Sequence, residues 1–151
     1  MIVDYITPKW IIQALGPFNL DPCAHHLQPW PCARDEIRPP DNGLSYDWYG
    51  NVWLNPPYDG REILFLKKLA AHGKGIALLA AKTDTKVFFD YVWPRANGIY
   101  FFEGRIKFYN PDGSRCKNNF RLPSVLVAYN SGNADRLRKF STTHGGRFLE
   151  I

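Results

Sequence analysis

The sequence predicts a compact α/β domain on a mixed sheet, parallel at its core and antiparallel toward the C-terminus. Three observations carry that expectation. Val52 to Leu54 is a short apolar stretch of bulky residues, the segment after it has helical periodicity, and residues 75–81 (Gly-Ile-Ala-Leu-Leu-Ala-Ala) follow. Strand, helix and strand in that order form a right-handed crossover between parallel neighbours. The 75–81 run has no polar break, as a central strand covered on both faces requires. The last third is β-rich, with strands expected over 99–102, 106–109, 123–129 and 147–151. At 151 residues the chain is expected to be one domain, 1–151, long enough to bury a core.

Composition narrows the function classes. Hydrophobic residues make up 45% and charged residues 22%, an ordinary balance for a globular protein. No stretch approaches the roughly 20 apolar residues of a membrane span, and the N-terminus lacks the regions of a signal peptide, so a cytoplasmic location and no membrane partner are expected. Cys23, Cys32 and Cys116 are odd in number and suggest no disulfide framework. Lys and Arg exceed Asp and Glu by 19 to 14, a net charge of +5, which favours an anionic partner. Five Trp and eight Tyr exceed the needs of a core this size and suit stacking on planar rings.

At the N-terminus, Thr7 is expected to cap a helix with Pro8 in its first position, running to about Leu15 and stopped by Gly16. Trp10, Ile11, Ala14 and Leu15 would share one face. This helix either packs the core or turns its free amides toward a ligand. Residues 18–21 read as a strand ending in Asp21, followed by Pro22 and the small residues Cys23 and Ala24. An acid at a strand's carboxyl end sits where α/β proteins bind ligands, although Asp21 could equally cap a turn. No Gly-rich dinucleotide fingerprint is present. Cys23, His25, His26 and Cys32 match no familiar zinc spacing, and adjacent histidines in extended chain point apart, so no metal is expected.

Residues 28–50 carry Pro29, Pro31, Pro39 and Pro40 and read as an ordered connection, with a turn at Asp41-Asn42-Gly43-Leu44. Only sixteen residues (25–40) separate Ala24 from Asp41, so this half of the sheet must be abbreviated. The strand at Val52 stops at Asn55, because Pro56 and Pro57 cannot donate to a ladder and restrict the residues before them. The resulting turn fixes an amide, a backbone carbonyl and the Tyr58 ring. Two acceptors beside a flat ring match an amino group on a planar base, whereas the plainer alternative is an Asn that merely caps a loop. A helix then starts at Asp59 or Gly60 with Ile63, Leu66 and Ala70 inward and Lys67 and Lys68 exposed, ending at Gly73 or Gly75. Lys82-Thr83-Asp84-Thr85 caps a further helix carrying Phe88, Phe89, Tyr91, Val92 and Trp93. Arg105, Lys107, Arg115, Lys117 and Arg121 fall within seventeen residues, interleaved with Tyr109 and Phe120, as phosphate contact with base stacking would need. A solvated face is the alternative.

Asn55-Pro56-Pro57-Tyr58 resembles the motif of the methyltransferases that act on amino nitrogens of adenine, cytosine or glutamine amides. With Thr7-Pro8, residues 20–24, Asp41-x-Gly43-Leu44, Asp47-Trp48, Lys82-Thr83-Asp84-Thr85 and Gly104-Arg105-Ile106-x-Phe108, the ordered set over residues 7 to about 129 resembles the compact phage-type (Dam-like) DNA N6-adenine methyltransferases. That resemblance implies an abbreviated Rossmann-like fold using S-adenosyl-L-methionine, acting on double-stranded DNA in a bacterial or phage-infected cytoplasm, with a monomer favoured. It implies that Thr7, Pro8, Asp21, Pro22, Cys23, Ala24, Asp41 and Leu44 belong to the cofactor site. The second, ribose-binding acid of larger relatives has no clear counterpart here, Asp35 and Glu36 being the two residues that could serve. Asn55, Pro56, Pro57 and Tyr58 would hold a flipped-out adenine for in-line methyl transfer, and Lys82, Thr83, Arg105, Lys107, Arg115 and Lys117 would contact DNA. Under this reading Asn55→Asp keeps an acceptor oxygen. The motif alone also admits RNA, cytosine or a protein Gln amide as substrate, or a non-catalytic nucleic-acid-binding relative.

Overall fold

A computed structural model describes residues 5–151. Its elements in order are α1 (Lys9–Leu15), β1 (Leu20–Asp21), β2 (Asp35–Glu36), a 3₁₀ turn (Gly43–Ser45), β3 (Val52–Leu54), α2 (Glu62–His72), β4 (Gly75–Ala80), a π-helical turn (Phe88–Val92), β5 (Gly98–Phe101), β6 (Ser124–Tyr129), α3 (Ser131–His144) and β7 (Arg147–Glu150). The strands form one seven-stranded sheet ordered β2-β1-β3-β4-β6-β5-β7. β2, β1, β3 and β4 run parallel, and β6, β5 and β7 join by antiparallel pairing. The expected mixed sheet is therefore present, with its parallel half cut down to two-residue strands at the edge.

Strand alternation divides the core into two layers. Trp53, Ile76, Leu78, Leu126 and Ala128 pack on the face that receives Ile11 and Leu15 of α1 and Ala134, Leu137 and Phe140 of α3. Val52, Leu54, Ala77, Leu79, Val125 and Val127 point the other way, onto Phe65, Leu66 and Leu69 of α2 and onto Phe88 and Val92. The period-2 pattern of a strand buried on both faces produces this arrangement directly. α2 ends where Gly73 adopts a left-handed conformation (φ 77°) and returns its N–H to Leu69 O at 2.8 Å.

Several local expectations are corrected. Helix α1 begins at Lys9 with Pro8 as its N-cap, and Thr7 makes no capping bond. Ala14 is exposed and Trp10 is 39% exposed, stacking at 5.8 Å on Phe140, so only Ile11 and Leu15 of the expected face are buried. α2 starts at Glu62, and its inward face adds Phe65 and Leu69. Lys68 is half-buried, because its ammonium donates to Leu44 O at 2.9 Å and to Tyr46 O while lying over the Trp48 ring. The helix after Thr85 is short and passes into a π-helical turn that leaves Phe89 62% exposed. Residues 106–109 form no strand; Tyr109 makes isolated bridges to Ile6 and Arg115. The last third also holds a fourteen-residue helix, α3, where only strands are expected.

α3 is locked to the sheet by a reciprocal amide pair. Asn51 Nδ2 donates to Asn133 Oδ1 at 3.1 Å, and Asn133 Nδ2 donates to Asn51 Oδ1 at 2.7 Å and to Tyr129 O at 3.0 Å. Both residues are buried, so removing one partner strands the other away from water. Asn133→Ala is expected to cost about 2–4 kcal/mol in urea unfolding, and a loss below about 0.5 kcal/mol would contradict this role.

Candidate active site

The parallel strands bring their carboxyl ends to one edge. Asp21 ends β1, Glu36 ends the neighbouring β2 in register with it, and Asn55 directly follows β3. Ligands bind at this edge in open α/β sheets because the backbone amides and loop side chains converge there. A cavity of about 590 Å³ opens at that edge. Of the residues expected there, Thr7, Asp21, Cys23, Ala24, Asn55, Pro56, Pro57 and Tyr58 line it together.

Asn55 is held in one orientation. Its Nδ2 donates to Tyr5 O at 2.7 Å and to Thr7 Oγ1 at 3.1 Å. A main-chain carbonyl can only accept, so the amide nitrogen must face Tyr5 and the oxygen must face away. Asn55 Oδ1 is buried and has no hydrogen-bond partner among the described residues. Asn55 is thus no loop cap, since both its donor contacts reach nearly fifty residues back. The same geometry alters the expectation for Asn55→Asp, because a carboxylate oxygen would meet the Tyr5 carbonyl at contact distance. Tyr58 donates its hydroxyl to Leu78 O at 3.2 Å and packs edge-on against Tyr5 at 5.3 Å, with Phe120 at 5.6 Å. Burial pushes its phenol far above the usual range, so Tyr58 is a fixed neutral ring.

Asp21 is buried and accepts from Cys23 N at 3.1 Å and from Gln28 Nε2 at 3.3 Å. Burial pushes its carboxyl up from the ordinary 3.8 to about 7, with Glu36 adding to the rise and the bonds from Cys23 and Gln28 opposing it. Burial also pushes the Cys23 thiol up to about 12, which leaves it an unreactive neutral wall. Of the two candidate acids beside Asp21, Asp35 is engaged by Tyr49 Oη at 2.5 Å and by Arg34 Nη2 at 3.2 Å. Glu36 receives Arg38 Nε at 2.7 Å on Oε2, while its Oε1 is buried without a partner among the described residues.

The remaining expected site residues lie elsewhere. Pro8 and Pro22 are buried and do not line the cavity, and the 28–50 connection meets its wall at Gln28 and Pro39, with Asp41 and Leu44 outside it. The turn at 41–44 instead docks on Pro22: a Cβ on Gly43 would lie 1.9 Å from Pro22 O, so only glycine fits. Trp48 Nε1 holds that turn by donating to Gly43 O at 2.9 Å. Lys82 borders a smaller, apolar cavity of about 130 Å³ whose wall includes Tyr58, and the neighbouring Thr83 is exposed. Arg105, Lys107 and Arg115 converge with Trp10, Phe102 and Tyr109 on a third cavity of about 180 Å³, with Glu103 also present, while Lys117 is exposed on the loop beyond. His25 and His26 stack with ring centroids 4.5 Å apart, contrary to the expectation that they diverge, because a turn replaces extended chain there. No group of three potential metal ligands occurs among the described residues. Sequence reasoning missed Tyr5, Gln28 and Arg61 in the main cavity wall, and no local motif marks them.

Because the folded-state pKa of Asp21 lies above its ordinary value, its contribution to stability is complete below about pH 4 and is lost as pH rises toward 7. Urea unfolding of wild type and Asp21→Asn across that window is expected to diverge, the wild type losing up to about 1.4 kcal/mol per pH unit relative to the variant. Parallel profiles would contradict the burial account.

Among curated proteins and solved structures none matches the chain. The family model for DNA N-6-adenine-methyltransferase (Dam) matches residues 4–144. That span takes in β1, the Asn55–Tyr58 turn, both basic regions and all of α3. The chain belongs to the DNA N-6-adenine-methyltransferase (Dam) family.

Proposed function

We propose that the protein transfers a methyl group from S-adenosylmethionine to the N6 amino group of an adenine in double-stranded DNA, on an abbreviated Rossmann-like domain spanning residues 1–151. The observation that carries this reading is Asn55 Oδ1, a buried acceptor without a partner among the described residues while the amide nitrogen beside it makes two hydrogen bonds. A buried amide oxygen in that condition costs about 1–3 kcal/mol, and an amino N–H arriving from a substrate would recover it.

The residues present fit the cofactor. Asp21 and Glu36, whose Oε1 has no partner among the described residues, are acidic groups suited to an ammonium and to ribose hydroxyls, and small Cys23 and Ala24 let a ligand approach the β1 turn. When bound, S-adenosylmethionine supplies an electrophilic methyl group. The chain's own work is positioning. An adenine amino group is a poor nucleophile because its lone pair is delocalised into the ring. Accepting its N–H at Asn55 Oδ1, and a second at the Pro56 carbonyl, favours a more tetrahedral nitrogen with the lone pair available. The rigid Pro56-Pro57 turn holds both acceptors with little ordering cost. Tyr58, pinned through its hydroxyl, offers its ring to a base taken out of the stack, at a cost of roughly a few kcal/mol for flipping. Asn is not basic, so the released proton leaves to solvent.

DNA contact is assigned to the two basic regions flanking this edge, Lys82 with Thr83, and Arg105, Lys107, Arg115 and Lys117, where Trp10 and Tyr109 stand among the cations. Replacing any one of Arg105, Lys107 or Arg115 by Ala is expected to lower the slope of log K against log salt by about 1 in duplex-binding titrations. An unchanged slope for all three would remove this surface from the account.

Single-turnover methyl transfer and calorimetric cofactor titration separate the two halves of the site. Asn55→Ala is expected to lose transfer by roughly a hundredfold or more while holding cofactor affinity within a few-fold, since it deletes the acceptor, together with its two anchoring bonds, and leaves the acidic side of the cavity in place. Asp21→Ala is expected to weaken cofactor binding. Wild-type affinity should rise as pH passes about 7, where Asp21 loses its proton. Undiminished transfer by Asn55→Ala would refute the catalytic assignment.

A further inference from the structure

We infer that Thr7 is a positioning residue for Asn55, its hydroxyl reinforcing the amide orientation that Tyr5 O imposes and that presents Oδ1 to the substrate amine. The inference rests on the reading of Asn55 as the acceptor and adds a role for Thr7 distinct from helix capping or cofactor contact.

The geometry is specific. Thr7 is buried, and its Oγ1 accepts from Asn55 Nδ2 at 3.1 Å and from Trp53 Nε1 at 3.3 Å. Two donors aimed at one hydroxyl oxygen direct the hydroxyl proton elsewhere. The oxygen therefore faces Asn55 as an acceptor. Tyr5 O supplies the second acceptor for the same nitrogen at 2.7 Å. With both in place, turning the amide over would set its oxygen against a carbonyl and a lone pair, leaving Nδ2 where the substrate amine must donate. With Thr7 Oγ1 removed, a single acceptor opposes that reversal.

Thr7 is itself held from two sides. Its carbonyl accepts from Trp30 Nε1 at 2.9 Å, and the preceding residue forms a two-bond bridge, Ile6 N to Tyr109 O at 3.2 Å and Tyr109 N to Ile6 O at 3.1 Å. Residues 5–7 thus form a strap tied to the basic loop on one side and to the Asn55 amide on the other. Val is close to Thr in shape but has no oxygen, so Thr7→Val removes the acceptor with little change in packing. It also strands Trp53 Nε1, a fold effect that needs its own control.

Steady-state methylation of duplex DNA with Thr7→Val, Thr7→Ser, Trp53→Phe and Asn55→Ala, each with urea unfolding, tests this. Thr7→Val is expected to lower kcat roughly ten- to a hundredfold with cofactor KM within threefold, and Thr7→Ser to restore it. Trp53→Phe, which removes the other donor and leaves the Thr7–Asn55 bond, should lose stability yet keep kcat within about threefold. In side-chain amide NMR, the Asn55 Nδ2 proton resonances should move in Thr7→Val and hold in Thr7→Ser. If Thr7→Val keeps wild-type kcat while Asn55→Ala is inactive, the positioning role is overturned and the acceptor reading stands. If Thr7→Val and Trp53→Phe lose kcat in parallel with stability, the role is structural only and the inference is overturned. If Asn55→Ala is fully active, the underlying reading fails with it.

Discussion

The site depends on one hydrogen bond, Asn55 Nδ2 to Tyr5 O, made across fifty residues of sequence. A carbonyl cannot donate, so this contact decides which end of the amide faces the cavity. Everything around it keeps that decision in force. Pro56 and Pro57 stop β3 at Asn55 and stiffen the chain beyond it, while Trp53, fully buried one residue before β3 ends, donates to the same Thr7 hydroxyl that Asn55 uses. The cost of a buried Oδ1 with no partner among the described residues is tolerable only in a packed frame that cannot relax to satisfy it, and the sheet provides that frame.

The sheet topology explains why so short a chain can assemble this edge. Parallel β2, β1, β3 and β4 deliver Asp21, Glu36, Asn55 and the Lys82 loop to one side, and two of those strands need only two residues each to do so. The 28–50 connection has no α-helix of its own, only the 3₁₀ turn at Gly43–Ser45; Gly43 seated on Pro22 and Lys68 reaching the carbonyls of Leu44 and Tyr46 fasten it down. The antiparallel half supplies the basic loop, and Tyr109 joins that loop to the strap carrying Tyr5 and Thr7. The charge along the edge is uneven: Asp21 lines the main cavity beside the paired Asp59 and Arg61, whereas Arg105, Lys107 and Arg115 outnumber Glu103 around a separate one. A cationic cofactor and an anionic polymer would each meet charge of the opposite sign.

What the sequence discloses is what local chemistry decides. Consecutive prolines end a strand wherever they occur, an unbroken apolar run calls for two covered faces, and a glycine after a helical period stops the helix, so β3, α2, β4 and the Asn55–Tyr58 turn are legible one by one. Contacts made through space are not. Thr7 looks like a helix cap because its neighbour is Pro8, yet its partners, Trp53 and Asn55, are more than forty residues away. Tyr5 acts through a backbone carbonyl, which no side-chain pattern encodes. α3 buries a narrow stripe of Ala134, Leu137 and Phe140 among polar residues, so its periodicity is faint, although Asn130 accepting from Asn133 N is a cap that could have announced it. Ile106 and Phe108 alternate with Arg105 and Lys107 as a strand should, but the chain there folds over the aromatic cluster of Tyr5, Tyr58 and Phe120 and finds no ladder partner.

The most direct test is nucleoside analysis of duplex DNA incubated with the protein and methyl-labelled S-adenosylmethionine, beside single-stranded RNA and protein incubated in the same way. Label is expected in N6-methyldeoxyadenosine from the duplex, dependent on Asn55. Label confined to cytosine, RNA or protein, or N6-methyldeoxyadenosine formed equally by Asn55→Ala, would contradict it.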